Sequence, residues 1–285
     1  MSQTDWRPSA TQLDRIAYRR QRTVRSVTIS AVSTIVLGAI VIIAVTHSPG
    51  WPRVKSTYFD VHYGWQVLPD IAKGLWLNVR IMVVCEVFIL AFAMLLAIAR
   101  TLRGPVFFPI RAAATVYVDL FRGLPQLVVL LACGFGIPAL QLQGLPISTT
   151  FWGGVALILT YSAYVAEVLR AGMESVHPSQ RAAARSLGLS HAQSLRYVVI
   201  PQGVRRVIPA LLNDLVSLQK DTSLVSILGV VEAIQTAQID IAKTFNYTPL
   251  VVASILFVLL TIPMTRFTDW LAARRGASLQ GLGVV

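Results

Sequence analysis

The chain has 285 residues, with 25 Lys and Arg against 13 Asp and Glu, a net charge of +12; 55% of its residues are hydrophobic and only 13% are charged. Soluble domains carry about 25% charged residues, so an ordinary soluble enzyme is excluded, and the apolar content excludes a disordered chain. Mean hydropathy is +0.64, and the apolar residues fall in blocks long enough to cross a bilayer.

Residues 1–25 are polar and basic, with six Arg and two Asp, and residues 26–46 follow without a charge. About 20 apolar residues span the hydrocarbon core, whereas a signal-peptide core is about 7–15 residues and ends at a small-residue cleavage site. Val45-Thr46-His47-Ser48-Pro49 is a poor site of that kind, so the run reads as an uncleaved spanning helix. Residues 47–73 are expected to form an extracytoplasmic loop, with Trp51, Tyr58, Phe59, Tyr63 and Trp65 suited to the headgroup level. A second span is expected over 75–99, ending at Arg100 and a short basic turn. A third covers 110–133, interrupted by Phe121-Arg-Gly-Leu-Pro125; an uncharged Gly- and Pro-rich stretch follows at 134–150. Spans four, five and six are expected over 152–169, 207–230 and 249–268, with a polar basic segment at 170–206, a loop at 231–247 and a tail at 273–285.

Loop charges set the orientation. With residues 1–25 in the cytoplasm, the inside segments hold 18 Lys and Arg and the outside loops four; Arg80, Arg122 and Lys220 lie within spans. Positive residues mark the cytoplasmic side, so both termini are expected inside a multi-pass protein of the cell membrane. Charge spread over alternate loops also argues against nucleic acid, which needs a basic patch. Cys85 and Cys133 lie in apolar stretches and are expected to be buried free thiols, and the four scattered histidines have no metal spacing.

The segment 170–206 is the most informative. Pro178 suits a helix first turn, Ala182, Ala183, Ala184 and Arg185 favour helix, and Gly188 suits a left-handed helix terminus. Ser190 and Gln193 make a capping-box pattern opening a second helix, and Pro201 is expected to stop it. The expectation is two short helices joined at a glycine outside the membrane, with the alanines forming a knob for a cleft on a partner. Long ordered loops tend to be functional.

Ala182-Ala-Ala-Arg-Ser-Leu-Gly188, nine residues, then Val198-Val-Ile-Pro201 resembles the EAA loop of ATP-binding-cassette importer permeases, Glu-Ala-Ala, three residues, Gly, nine residues, Ile-x-Leu-Pro. The departure is Ala182, where that family usually has Glu. Tyr117-Val-Asp-Leu-Phe-Arg-Gly-Leu-Pro125, Ala163-Tyr-Val-Ala-Glu167-Val-Leu-Arg170-Ala-Gly172 and Ser217-Leu-Gln-Lys-Asp-Thr-Ser-Leu224 are similar to its polar amino-acid (histidine/glutamine/arginine-type) branch. The resemblance covers residues 70–272 and leaves 1–70 as an N-terminal addition. It implies an all-α membrane protein of about six transmembrane helices: one extra helix at 26–46 and a five-helix type I importer permease core at 74–272.

It also implies a permease subunit that is not an enzyme, importing polar amino acids. ATPase subunits would dock at 178–200, on Ala182, Ala183, Ala184, Arg185, Gly188 and Pro201. The other implied partners are a second permease subunit, homo- or heterodimeric, an extracytoplasmic amino-acid-binding protein and membrane lipids. The chain has no Gly-x-x-x-x-Gly-Lys-Ser/Thr phosphate loop, so ATP and Mg are expected on the partner ATPase and no cofactor on this chain. An ion-coupled secondary amino-acid transporter, with Glu86 and Asp214 as carriers, is the alternative.

Polar residues within spans supply the pathway candidates. A charge there is expensive and marks function by default. Glu86 has two readings, a pathway carboxylate that meets a substrate ammonium or a protonated group hydrogen-bonded between helices. Asp119 and Arg122 are spaced to pair on one helical face before the Gly123–Pro125 break. Lys220 and Asp221, with Thr222 and Ser223, are expected to form a polar layer at a gate or dimer interface, and Asp214, Thr160 and Tyr161 to line the same route.

Overall fold

The structure is a computed structural model, and residues 9–280 are described. Residues 1–8 of the expected N-terminal segment and 281–285 of the expected tail lie outside them. Of the described residues 86% are helical and none lies in a strand, as the all-α expectation requires. The chain divides into two units, one ending at Thr57 and the other beginning at Tyr58.

The first unit holds α1 (Ala10–Thr46) and the start of α2 (Trp51–Tyr58). Helix α1 opens on a capping box in which the Ser9 hydroxyl accepts from the Gln12 N–H and the Gln12 amide oxygen accepts from the Ser9 N–H. From Gln21 to Thr46 it is long and apolar enough to cross a membrane. A helix hydrophobic on every face suits a lipid environment.

In the second unit, α3 (Val61–Thr101) is 41 residues long and N-capped by Asp60, whose carboxylate accepts from the Tyr63 N–H at 3.0 Å. At ~1.5 Å per residue it spans about 60 Å, twice the roughly 30 Å of hydrocarbon. The expected loop at 47–73 is therefore mostly helix, because the Asp60 cap starts α3 well before its apolar run. Helix α4 (Phe108–Gly123) meets α5 (Gln126–Leu131) at a bend of 105°. Pro125 forces Leu124 out of the helical region, to ψ 136°, so the expected third span is a sharply turned pair. A π-turn (Ala132–Gly136) and α6 (Ile137–Ala139) continue α5.

Helix α7 (Thr149–Glu174) is the most buried candidate span and packs mainly on α3. Helices α8 (Pro178–Ser186) and α9 (His191–Ser194) follow. A π-turn (Leu195–Val199) then leads without a break into α10 (Ile200–Asp221) and a 3₁₀ segment (Thr222–Leu228). Pro201 does not end the helix as expected. The widened π-turn before it absorbs the missing N–H and the ring's clash with the preceding turn, so the second loop helix merges with the fifth span.

The expected loop at 231–247 is largely α11 (Ala233–Thr244), capped by Glu232 and bent 45° from the preceding stretch. Helix α12 (Thr248–Gln280) carries the sixth span through Pro263 and into the expected tail. Among the described residues four helices are thus long and apolar enough to cross a membrane, or up to six if each bent pair is one span. Cys85 and Cys133 are buried and unbridged.

Candidate functional site

The loop between α7 and α10 builds itself locally. The His177 ring Nδ1 accepts from the Ser179 N–H at 3.2 Å and opens α8. The helix closes in a Schellman pattern, with the Leu189 N–H on the Ala184 carbonyl at 3.2 Å and the Gly188 N–H on the Arg185 carbonyl at 3.0 Å. Gly188 has φ +82°, the left-handed conformation this closure demands. Two residues later the expected capping box is present: the Ser190 Oγ accepts from the Gln193 N–H at 3.3 Å, and the Ser190 N–H donates to Gln193 Oε1 at 2.8 Å.

This element stands on a close helix crossing. A Cβ at Gly203 would lie 2.8 Å from the Met173 backbone, and one at Gly172 would lie 2.7 Å from the Gly203 carbonyl oxygen. Helices α7 and α10 therefore meet backbone to backbone just below the loop. Arg206 donates to the Ser175 carbonyl and, at 3.2 Å, to its hydroxyl. Arg181 Nη2 donates to the Met173 carbonyl at 2.7 Å. Helix α8 is thereby tied to the end of α7, and that end to α10.

The three alanines expected to form one knob are divided. Ala184 is buried against its own chain, and its carbonyl accepts from the Leu189 N–H in the Schellman closure. Ala182 is exposed and borders a cavity beside Arg181 and Arg185. Ala183 and Leu187 are exposed on the outer face.

A second group of polar residues meets inside the span region. The Tyr161 hydroxyl on α7 donates to Asp221 Oδ2 on α10 at 2.7 Å. Asp214, one and a half to two turns earlier on α10, has a buried Oδ2 with no hydrogen-bond partner. Glu86 on α3 lies close enough to Asp214 for their charges to interact, and Tyr161 is within electrostatic reach of all three carboxylates. Tyr161 and Asp221 are thus joined across α7 and α10, and Glu86 on α3 and Asp214 on α10 lie within electrostatic range of them. A cluster of this sign is complementary to a cation.

The other pathway candidates fall elsewhere. Asp119 is exposed and does not pair with Arg122. The Arg122 guanidinium turns instead to Glu167 Oε2, 3.9 Å away, and over the Tyr164 ring, because α4 packs against α7. Thr160 is buried, and its hydroxyl donates to the Ala156 carbonyl of its own helix at 3.1 Å. The expected layer at 220–223 splits: Lys220 is exposed, Asp221 joins the cluster, Thr222 accepts from Asn78 Nδ2 at 3.3 Å, and Ser223 bonds back to Lys220.

Glu167 stands in one of the family-like motifs but not among the expected site residues, yet it is an electrostatic hub. It accepts from Arg100 at 2.6 Å and Arg170 at 2.5 Å, and Arg170 also reaches Glu174. Its spacing from Arg170 and Glu174 is visible along α7, whereas Arg100 comes from α3, 67 residues away. Gln219 was missed as well; it is buried, and Thr261 donates to its Oε1 at 2.8 Å.

Residues 89–276 match the family described as binding-protein-dependent transport system inner membrane component. The arginine transport system permease protein ArtQ of Bacillus subtilis (strain 168) is 32% identical over 200 residues, 70% of this chain and 89% of that protein. The probable amino-acid ABC transporter permease protein y4tG of Sinorhizobium fredii is 36% identical over 171 residues, 59% of this chain and 73% of that protein. A crystal structure of an amino acid ABC transporter with histidines superposes with a TM-score of 0.68 at 29% identity, covering 75% of this chain and 98% of that one. The MetNI methionine ABC transporter in an inward-facing form shares the fold, with a TM-score of 0.57 at 16% identity over 72% of this chain and 95% of that one.

Proposed function

This chain belongs to the binding-protein-dependent transport system inner membrane component family, and from that membership we propose that it is the membrane-spanning permease subunit of an ATP-driven importer of polar amino acids. It is a multi-pass protein of the cell membrane with both termini in the cytoplasm. Two permease subunits, identical or different, enclose the pathway. ATPase subunits hold ATP and Mg, and an extracytoplasmic binding protein delivers the amino acid. The relatives lend no support to an ion-coupled transporter.

The mechanism follows from the two groups of residues. The ATPase grips the outer face of α8 around Ala183 and Leu187. Its closure pushes the rigid α8–α9 pair, and the Gly172–Gly203 crossing passes that push to α7 and α10. Tyr161 rides on α7, and Asp214 and Asp221 ride on α10, so their distances to Glu86 on α3 change with nucleotide state. A cationic or ammonium group is held when the carboxylates converge and released when they part.

The observation that carries this reading is the self-capped helix pair, fixed at Gly188 and seated on a backbone-to-backbone crossing. The test is amino-acid uptake into proteoliposomes holding the permease with its ATPase and binding protein. Uptake requires ATP, and deletion of Gly188 abolishes it while the permease still inserts into the membrane. Uptake that persists without nucleotide contradicts the proposal.

A further inference from the structure

The inner face of α8 borders a half-open cavity of 570 Å³, lined also by the C-terminal end of α3, the α7–α8 turn and the start of α9. Its lining is strongly basic: Arg100, Arg103, Arg181, Arg185 and His191 face a single carboxylate, Glu174. Arg100 is already paired with Glu167 at 2.6 Å, and Glu174 is already engaged by Arg170. Among the described residues no carboxylate pairs with Arg103, Arg181 or Arg185. Arg181 gives one N–H to the Met173 carbonyl, but its Nε is buried without an acceptor. A buried donor without a partner is costly, and like charges around one cavity repel. A single anion in the cavity relieves both costs.

We propose that this cavity binds a phosphate-bearing anion through Arg103, Arg181 and Arg185. Guanidinium forks match tetrahedral oxyanions bidentately, and the cavity has room for a phosphate group. Arg100 and Arg103 lie where α3 leaves its apolar run, the level at which anionic headgroups meet basic side chains. Two sources share this chemistry, an anionic phospholipid headgroup and inorganic phosphate. Ala182 borders the cavity with only a methyl group, so occupancy by an anion would brace α8 from behind while its outer face meets the ATPase. The proposal rests on the permease reading only for the side of the membrane that the cavity faces.

The test uses the full-length permease co-purified with its ATPase subunits and stripped of lipid. Native mass spectrometry measures retention of phosphatidylglycerol against phosphatidylcholine, and the thermal midpoint is followed as inorganic phosphate is added. The wild type retains phosphatidylglycerol about tenfold better than phosphatidylcholine. The Arg103→Gln/Arg185→Gln double variant loses that preference, and Ala182→Glu, which supplies an internal carboxylate, loses it too. A phosphate-induced rise in midpoint confined to the wild type, with no lipid preference, supports the site and makes the soluble anion its source. Equal retention of both lipids with no response to phosphate overturns the proposal, as does binding unchanged in both variants. ATP-driven uptake by the same preparation separates the two readings: a transporting complex without the anion site sinks only this proposal, and an anion site without ATP-driven uptake sinks only the permease assignment.

Discussion

Residues 177–193 and the cluster of Glu86, Tyr161, Asp214 and Asp221 are built in opposite ways. In the first region every capping partner lies within five residues in the chain: His177 with Ser179, Ala184 with Leu189, Ser190 with Gln193. In the second, the partners come from three helices and are joined over long separations, as Tyr161 and Asp221 are across 60 residues. The first is a rigid body whose shape survives displacement. The second exists only while α3, α7 and α10 keep their places, so it must change when they move. A transporter needs one part of each kind, a stiff handle and a deformable site.

The largest expected effect comes where the two regions meet. In Gly203→Val the new Cβ would lie 2.8 Å from the Met173 backbone, so α7 and α10 must separate. Overpacking costs about 1–3 kcal/mol, occasionally more. Near-complete loss of uptake and a fall in the thermal midpoint of the purified complex are expected, since both handle and site lose their base. Glu167→Gln comes next: removing the carboxylate shared by Arg100 and Arg170 should destabilise the α3–α7 contact by roughly 1.5–3 kcal/mol, read as a lower midpoint with ATPase binding retained.

Glu86→Gln separates the regions. Uptake of a cationic amino acid should fall about tenfold, ~1.4 kcal/mol, while ATPase co-purification and the thermal midpoint stay at wild-type values. Equal loss for cationic and neutral amino acids would show that the cluster does not read substrate charge. Ser190→Ala is the mildest and purely local: losing an N-cap costs about 1 kcal/mol, so hydrogen exchange should quicken in α9 and leave Tyr161 and its neighbours unaffected.

The same contrast explains what was legible in the sequence. Gly188, Ser190 and Gln193 announced their roles because helix termini are encoded by neighbours. Apolar run length marked the four helices long and apolar enough to cross a membrane, because that property depends on composition, while the expected third and fifth spans are bent pairs. Pro201 misled, since a proline is a local signal and the π-turn at Leu195–Val199 that accommodates it leaves no mark in the residue pattern. Asp119 and Arg122 had the spacing of a pair, but the packing of α4 on α7 gives Arg122 a different neighbour. Asp60 and Glu232 as helix caps turned two expected loops into helix. Glu86, Asp214, Tyr161 and Asp221 could each be suspected as polar residues in apolar runs, but their meeting is a tertiary fact.

Cysteine cross-linking between α8 and the ATPase tests the central claim most directly. The native Cys85 and Cys133 are buried, so a single introduced thiol can be followed. Ala183→Cys, on the exposed face, should cross-link to a cysteine in the ATPase groove with a yield that changes on adding ATP, whereas Ala184→Cys, buried against its own chain, should not. No cross-link at 183, or equal yields at 183 and 184 regardless of nucleotide, would contradict the account.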